Sequence, residues 1–326
     1  TIIESPVGPL TLVACERGLR AVMWLQDTEA RVPLGPVDGI PITLKENIAR
    51  AGVPMPSGHA GAEPVVPQRS SPIADRINES GGVVVGSTVM PDWGMLSSGV
   101  SSRHGITRSP WDPRWTTGGS SAGAGAAAAA GYAPLHVGTD IGGSIRLPSA
   151  INGIVGLRPT YGRVSRAGAM TLSWTMDKAG PLARSAEDCA LVLAALCAAG
   201  PDARDPATLL APNSFRYAFG TNLKKLRVGY VKAAFDQTYP TKANDQATLD
   251  VLRKLGVELV PIELPAIAPG ALRFVLTAEG AAAFDDLTRS GRDGQMVLQN
   301  RSAWPNTFRS SRFIPAVEYL QAQRVR

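Results

Sequence analysis

The chain has 326 residues, 44% of them hydrophobic and 18% charged, which is enough for one large core or two moderate ones. Its formal net charge is +6, but acidic residues interrupt the arginines near the C-terminus and no aromatic residues alternate with them. This pattern argues against direct nucleic-acid binding. The apolar run 122–137 contains glycines and a proline and is too short to cross a bilayer, so no membrane association is predicted.

Strand and helix patterns alternate along the chain and predict an α/β sheet with crossover connections. Ser185 is placed to cap a helix, and Gly81 to end one. The predicted helices are 72–80, 185–197 and 244–256, and the predicted strands are 83–86, 226–231 and 257–264. No repeat interrupts this pattern, so one main domain is expected.

Three cysteines and three histidines without ligand spacing predict neither a disulfide framework nor a metal site. Cys189 and Cys197 lie in the apolar stretch SAEDCALVLAALC, which predicts buried thiols. A reducing, cytoplasmic location fits these cysteines. The opening residues TIIESPVGPL lack the pattern of a signal peptide.

The segment 118–148, GGSSAGAGAAAAAGYAPLHVGTDIGGSIRLP, places Ser120, Ser121 and Ser144 on glycine-rich turns. Glycine lets a backbone approach a ligand closely, so successive N–H groups there can point into one concavity and hold an oxyanion. The N–H groups predicted for this role are those of Ile141, Gly142, Gly143 and Ser144. A nucleophile among the serines also requires a base.

Two residues are candidates for that base. His136 is eight residues before Ser144, and Lys45 lies in the apolar segment VDGIPITLKENI. Burial of Lys45 would lower its pKa, and Ser–Lys pairs are a known alternative to Ser–His–Asp. On residue types alone, a phosphate-binding loop or a simple turn is the commoner role of such glycines, although no Walker A motif is present.

The long stretch from GGSSAGAG to PTYGRVS resembles the signature region of the amidase signature family of serine hydrolases. The resemblance extends through GIPITLKENI and GPLARSAEDCALVL, from Val37 to Leu193. It implies a mixed β-sheet core covered by helices on both faces. It also implies a catalytic triad of Lys45 as base, Ser120 as bridging serine and Ser144 as nucleophile, with a cis peptide bond between Gly119 and Ser120.

Supporting residues follow from the same resemblance. Asp140 and Arg146 flank the nucleophile and are expected to pair and hold its loop, while Ser121 is expected to bond loop backbone and Asp140. Residues 122–131 are expected to form a tightly packed helix behind the site. The apolar segment MPDWGMLSSG supplies Trp93, Met95 and Leu96 as candidate substrate-pocket residues, of which Trp93 and Met95 fit a core role equally well.

The two ends depart from the family pattern. Residues 1–24 resemble the N-terminus of methylated-DNA–cysteine alkyltransferases, but the reactive PCHR motif is absent, so Cys15 is not expected to accept an alkyl group. The predicted domains are therefore an atypical N-terminal segment, 1–30, and an amidase-signature domain, 31–326. Compared with the family, the chain is expected to be truncated at both ends and incomplete in its C-terminal part.

The function implied by the resemblance is hydrolysis of a small-molecule amide through an acyl-enzyme, without metal or organic cofactor. Two alternatives stand beside it. The segment PTYGRVSRAGAM resembles the A subunit of tRNA-dependent amidotransferases, which frees ammonia from glutamine beside partner subunits. The chain could also be an inactive or partly folded fragment. A homodimer or an assembly with amidotransferase subunits is the expected partnership.

Overall fold

The computed structural model describes residues 2–3, 10–15, 18–24, 34–61, 63–210, 215, 217, 220–264, 266 and 269–326. The side chains before residue 34, that of Cys15 included, lie outside the described part. The chain divides into two compact units: Thr1–Tyr217 together with Arg273–Arg326, and Ala218–Leu272. The domain boundary predicted at residue 30 stays a prediction.

The N-terminal segment of the first unit forms a small antiparallel sheet. Its strands are β1 (Ile2–Ile3), β2 (Leu10–Cys15) and β3 (Gly18–Trp24), in the order β1-β2-β3. β2 and β3 pair from Leu10 opposite Trp24 to Cys15 opposite Gly18, with one register shift. The resemblance of this segment to the alkyltransferases stays a prediction.

The central sheet of the first unit has five strands of mixed direction. In chain order this region contains β4 (Pro41–Lys45), α1 (Pro72–Glu79), β5 (Val83–Thr88), β6 (Val100–Ser101), β7 (Gly105–Ile106), α2 (Ala122–Ala130), β8 (Leu135–Asp140), α3 (Arg146–Asn152), β9 (Val155–Gly156), β10 (Lys178–Ala183) and α4 (Ala186–Cys197). The sheet order is β5-β4-β8-β10-β9, and β6 pairs with β7 separately. β4 is parallel to β5 and β8, whereas β10 is antiparallel to β8 and β9.

Helices pack on both faces of this sheet because alternate strand residues point to opposite sides. On one face, Leu44 and Val137 join a core with Ile77 of α1 and Val192 of α4. On the other face, Leu182 of β10 packs with two residues that lie beside the sheet, Ala124 of α2 and Ile145. The predicted mixed α/β fold with helices on both faces is confirmed.

Local sequence signals account for the helix boundaries. Ser71 accepts a hydrogen bond from Ala74 N at the start of α1, and Pro72 occupies the first turn. Ser185 accepts a hydrogen bond of 3.0 Å from Asp188 N, so the predicted cap of α4 is confirmed. Cys189 and Cys197 of α4 are buried free thiols, as predicted.

The small residues of α2 allow the helix to approach other backbone closely. A Cβ on Gly123 would lie 2.6 Å from Val89 N and 3.0 Å from Val89 O, where no side chain fits. The helix ends at Gly131, whose φ of 76° is a left-handed conformation that favours glycine. The predicted helix at 122–131 is therefore confirmed, and its composition follows from its packing.

The second unit contains β11 (Arg227–Val231), α5 (Lys232–Asp236), α6 (Lys242–Lys254) and β12 (Glu258–Ile262). The two strands are parallel, and the helices connect them. The predicted strands at 226–231 and 257–264 and the predicted helix at 244–256 are confirmed, with helix α6 beginning two residues earlier.

The helices of the remaining part are α7 (Pro269–Ala283), α8 (Asp285–Arg289), α9 (Trp304–Ser311) and α10 (Ala316–Val325). In the first unit, Phe284, Leu287 and Phe308 pack with Met95 and Leu172 into a second hydrophobic cluster, here called the second core. No helix within the described ranges is long and apolar enough to cross a membrane.

Candidate active site

Lys45 is the last residue of β4, and its side chain is fully buried. Its Nζ donates hydrogen bonds to Ser120 Oγ at 2.6 Å and to Thr139 Oγ1 at 2.9 Å. β4 lies beside β8 with Leu44 opposite Val137, so the carboxyl ends of these parallel strands bring Lys45 and Thr139 together. The sequence-predicted base and bridging serine are therefore in direct contact.

Burial lowers the pKa of Lys45 from 10.5 to about 7, because an ammonium loses its hydration inside the protein. The negative charges of Asp140, Asp177 and Glu46 act in the opposite direction. A lysine with this pKa is substantially neutral near pH 7 and can accept a proton, which an ordinary surface lysine cannot do at that pH.

Ser120 lies in the turn before α2, and the peptide bond between Gly119 and Ser120 is cis. The Ser120 side chain is buried. A Cβ placed on Gly94 would be 3.5 Å from Ser120 Oγ, so the turn around Gly94 lies directly beside this hydroxyl. The Leu96 carbonyl packs against the Gly119 backbone, since a Cβ on Gly119 would lie 2.6 Å from it.

Ser144 lies two residues before α3 and is partly exposed. Its carbonyl accepts a hydrogen bond of 3.0 Å from Ser121 N, which ties the two serine-bearing turns together. Within the described residues, Ser144 Oγ makes no hydrogen bond with Ser120 Oγ. The three predicted triad residues thus lie in one region of the described structure. Lys45 and Ser120 are hydrogen-bonded to each other, whereas Ser144 is not hydrogen-bonded to either of them.

Asp140 organises the turn that carries Ser144. Its carboxylate accepts hydrogen bonds from Gly143 N at 3.1 Å and Ile145 N at 2.9 Å, and from both Nε and Nη2 of Arg146. Burial disfavours its charge, but these hydrogen bonds outweigh burial and hold the pKa of Asp140 below its usual value. The predicted supporting pair of Asp140 and Arg146 is in contact.

The hydrogen bond to Asp140 corrects the prediction for Gly143. Its N–H points to the carboxylate and is not free to hold an oxyanion. For the N–H groups of Ile141, Gly142 and Ser144, no acceptor is found among the residues that the structure describes. These three remain candidate donors.

Ser121 also differs from the prediction. Its hydroxyl donates to Thr139 O at 3.2 Å and accepts from Thr139 N at 3.3 Å, so it bonds loop backbone but not Asp140. Thr139 itself was missed by the sequence analysis, although it receives hydrogen bonds from both Lys45 and Asn47. Only the register of β4 against β8 could have indicated it.

The candidate pocket residues belong largely to the second core. Met95 is buried in that cluster, and Trp93 packs against it with Ile141 and Met170. The Trp93 ring lies 5.8 Å from the ring of Phe284. The core role left open for Trp93 and Met95 is therefore the observed one for Met95, while Trp93 is partly buried and packs against this core.

His136, the other candidate base, makes structural hydrogen bonds. It bonds Thr43 Oγ1 at 2.6 Å and Ala133 O at 3.1 Å, and burial lowers its pKa to about 4. His104 pairs with Glu46 at 3.0 Å. In the described ranges, no group of three or more histidine, cysteine, aspartate or glutamate side chains is placed to hold a metal ion.

A second carboxylate, half-buried, lies near the base. Asp177 accepts hydrogen bonds from Leu172 N at 3.0 Å and Ser173 N at 3.2 Å, and burial raises its pKa to about 6. Burial also lowers the pKa of its neighbour Lys178 to about 8. Neither residue has a role that the sequence predicts.

A family profile and curated relatives both match most of the chain. The profile of a family described as Amidase matches residues 4–322. The A subunit of glutamyl-tRNA(Gln) amidotransferase from Synechococcus sp. (strain CC9311) is 38% identical over 285 residues, covering 86% of this chain and 58% of that protein. The corresponding protein from Thermus thermophilus is 38% identical over 267 residues, covering 81% of this chain and 56% of that protein.

The fold is also similar to solved structures. The native peptide amidase from Stenotrophomonas maltophilia superposes with a TM-score of 0.76 at 31% sequence identity, covering 89% of this chain and 65% of that one. The chain thus spans less than two thirds of the length of each of these relatives.

Proposed function

The chain belongs to the Amidase family, and from that membership and the site geometry we propose that it hydrolyses the C–N bond of a carboxamide. In this proposal Ser144 is the nucleophile, Ser120 relays protons and Lys45 is the base. The N–H groups of Ile141, Gly142 and Ser144 stabilise the oxyanion.

One observation carries the proposal: the fully buried Lys45 Nζ lies 2.6 Å from Ser120 Oγ and has a pKa of about 7. Burying a lysine costs free energy because its ammonium group loses water. An apolar residue in a purely structural role would not carry this cost. A neutral lysine in contact with a serine hydroxyl is, however, what proton transfer at neutral pH requires.

The first half-reaction forms an ester. Neutral Lys45 accepts the Ser120 proton while Ser120 accepts the proton of Ser144, and Ser144 Oγ bonds to the carbonyl carbon. Rotation of the Ser144 hydroxyl toward Ser120 completes the relay, since catalytic hydrogen bonds often shorten only when substrate is bound. The negative charge of the tetrahedral intermediate rests on the carbonyl oxygen, opposite the free N–H groups.

Collapse of this intermediate breaks the C–N bond. The leaving nitrogen takes a proton returned through Ser120 from the Lys45 ammonium, and leaves as ammonia or an amine. Water then attacks the ester with the same relay as base, releasing the carboxylic acid and restoring the Ser144 hydroxyl. Because burial lowers the pKa of Lys45 to about 7, the side chain can accept a proton in one step and return it in the next.

Ammonia release from a panel of primary amides tests this function. The unaltered chain should turn over at least one member, and Ser144→Ala should lose at least about a thousandfold in kcat, as for other serine nucleophiles. Ser97→Ala, a change at an exposed serine near the site, is the matched control and should keep full activity. Turnover that survives Ser144→Ala would refute the nucleophile assignment.

A second candidate is the glutaminase-type A subunit of a tRNA-dependent amidotransferase. Curated relatives with 34% to 38% identity to this chain carry that name, which favours this candidate. Glutamine as the preferred ammonia source, with turnover that requires added B and C subunits, would support this candidate. Turnover of uncharged amides by the chain alone supports the first.

A further inference from the structure

Two buried side-chain nitrogens lack hydrogen-bond partners within the described residues: His59 Nε2 and Trp93 Nε1. Their rings lie 5.1 Å apart at an angle of 38°. An unpaired buried polar atom destabilises a fold, so native proteins keep few of them. Two such atoms on neighbouring rings indicate a place where a polar group binds.

The other contacts of His59 define what its free nitrogen can do. Its Nδ1 is 3.3 Å from Ser102 Oγ and 3.7 Å from Asp92 Oδ2. Ser102 Oγ donates its own hydrogen to Asp92 Oδ1 at 2.8 Å, so Nδ1 must carry the hydrogen that faces these oxygens. In the neutral ring, Nε2 is then an acceptor, whereas Trp93 Nε1 can only donate.

The backbone holds this pair in an uncommon conformation. Trp93 and Ser57, with φ of 53° and 50°, are the non-glycine residues of the described chain with positive φ. Trp93 N donates a hydrogen bond of 2.8 Å to Ser57 O, so the two strained positions support each other. Such strain persists where the surrounding structure enforces it, and it is concentrated at functional sites.

The chain at Trp93 passes close to the candidate bridging serine. Trp93 packs against the second core together with Ile141, the first residue of the candidate oxyanion turn. The next residue, Gly94, is the one whose Cβ position is 3.5 Å from Ser120 Oγ. The backbone next to Trp93 is therefore close to the hydroxyl that relays protons in the proposed mechanism.

We propose that His59 and Trp93 form a polar subsite for a neutral hydroxyl or carboxamide group on the acyl portion of the substrate, a specificity that rests on the proposed amidase function. Such a group accepts a hydrogen bond from Trp93 Nε1 and donates one to His59 Nε2. A carboxylate cannot donate to His59 and is repelled by Asp92. An ammonium group cannot accept from Trp93.

Binding to the Ser144→Ala chain, measured by calorimetry, tests the subsite. The probes are ω-hydroxyalkyl amides of increasing length, each beside the alkyl amide in which a methyl replaces the hydroxyl. At least one hydroxy amide should bind roughly tenfold more tightly than its alkyl partner. An apolar pocket would give the opposite order, because it desolvates the hydroxyl without compensation.

Trp93→Phe, made in the Ser144→Ala chain, keeps the ring and removes the N–H, so it should abolish this preference. Trp304→Phe is the matched control, because Trp304 packs against the same core and its ring contacts Phe308; it should keep the preference. The ω-carboxyalkyl amide of the same length should bind more weakly than the hydroxy amide, a comparison that needs no variant at Trp93.

The proposal is overturned if no hydroxy amide is preferred, which would mean that the two nitrogens bind only water, or if the preference survives Trp93→Phe. Failure of the proposed function has a different signature: the chain with Ser144 intact would bind the hydroxy amide selectively and release no ammonia from it.

Discussion

Lys45 Nζ and Ser120 Oγ lie 2.6 Å apart although the residues are separated by 75 positions in the sequence. The end of β4 supplies the lysine, and the turn before α2 supplies the serine. One link of the proposed relay is therefore already formed, whereas the link to Ser144 is not hydrogen-bonded.

Thr139→Val should lower kcat by about tenfold to a hundredfold, because it removes the oxygen that accepts a hydrogen bond from Lys45 and helps to orient Nζ. Thr139→Ser keeps that oxygen and should retain most of the activity. Steady-state kinetics on both variants make the comparison. Equal rates for the valine and serine variants would contradict the orienting role.

The pH dependence of kcat/KM should follow the protonation of Lys45. Activity requires the neutral amine, so it should rise with pH and reach half its plateau near pH 7, where the pKa of Lys45 lies. Asp177→Asn removes a negative charge that favours the ammonium, so the pKa of Lys45 should fall and the acid limb should move to lower pH. A shift to higher pH would contradict this interpretation.

Lys45→Met should change how stability depends on pH. The pKa of Lys45 is depressed to about 7 in the folded chain from 10.5, so the burial penalty is fully present below pH 7 and is relieved as pH rises toward 10.5. The free energy of unfolding of the unaltered chain should therefore increase relative to Lys45→Met by about 1.4 kcal/mol per pH unit in this window.

Urea unfolding of the unaltered chain and Lys45→Met, at two pH values inside the window, measures this difference. Both proteins share every other titrating group, so those contributions largely cancel. A difference that is constant with pH would mean that Lys45 is protonated in the folded protein.

Gly123→Ala should destabilise the fold without touching a proposed catalytic group. The added Cβ would lie 2.6 Å from Val89 N, and backbone cannot move aside easily. We expect the free energy of unfolding to fall by about 2 kcal/mol, despite the better helix propensity of alanine. Gly86→Ala is the control, since a Cβ there meets nothing within 4 Å. Equal unfolding free energies would contradict the packing argument.

Local signals in the sequence predicted the secondary structure well. Ser185 and the acidic residues after it specify the start of α4. The composition of α2, a run of alanine and glycine, is enough to predict that this helix packs closely against its neighbours. The contact between Lys45 and Ser120 could be predicted only through the family resemblance, because no local pattern links positions so far apart.

Features that depend on strand register or on single hydrogen bonds were not predictable. Thr139 reaches Lys45 because of the pairing of β4 with β8, and Gly143 N turns to Asp140 because that carboxylate lies under the turn. The neighbouring rings of His59 and Trp93 likewise come from distant segments. In each case the tertiary structure decides which of several possible partners a polar group obtains.

The most direct test of the central claim is labelling of the purified chain with a fluorophosphonate, followed by mass mapping, beside Ser144→Ala and Lys45→Met. The account predicts one modified residue, Ser144, with labelling absent in Ser144→Ala and greatly slowed in Lys45→Met, because the reagent requires an activated serine. A folded chain that is not labelled, or labelling at another serine, would contradict the proposed nucleophile and its relay.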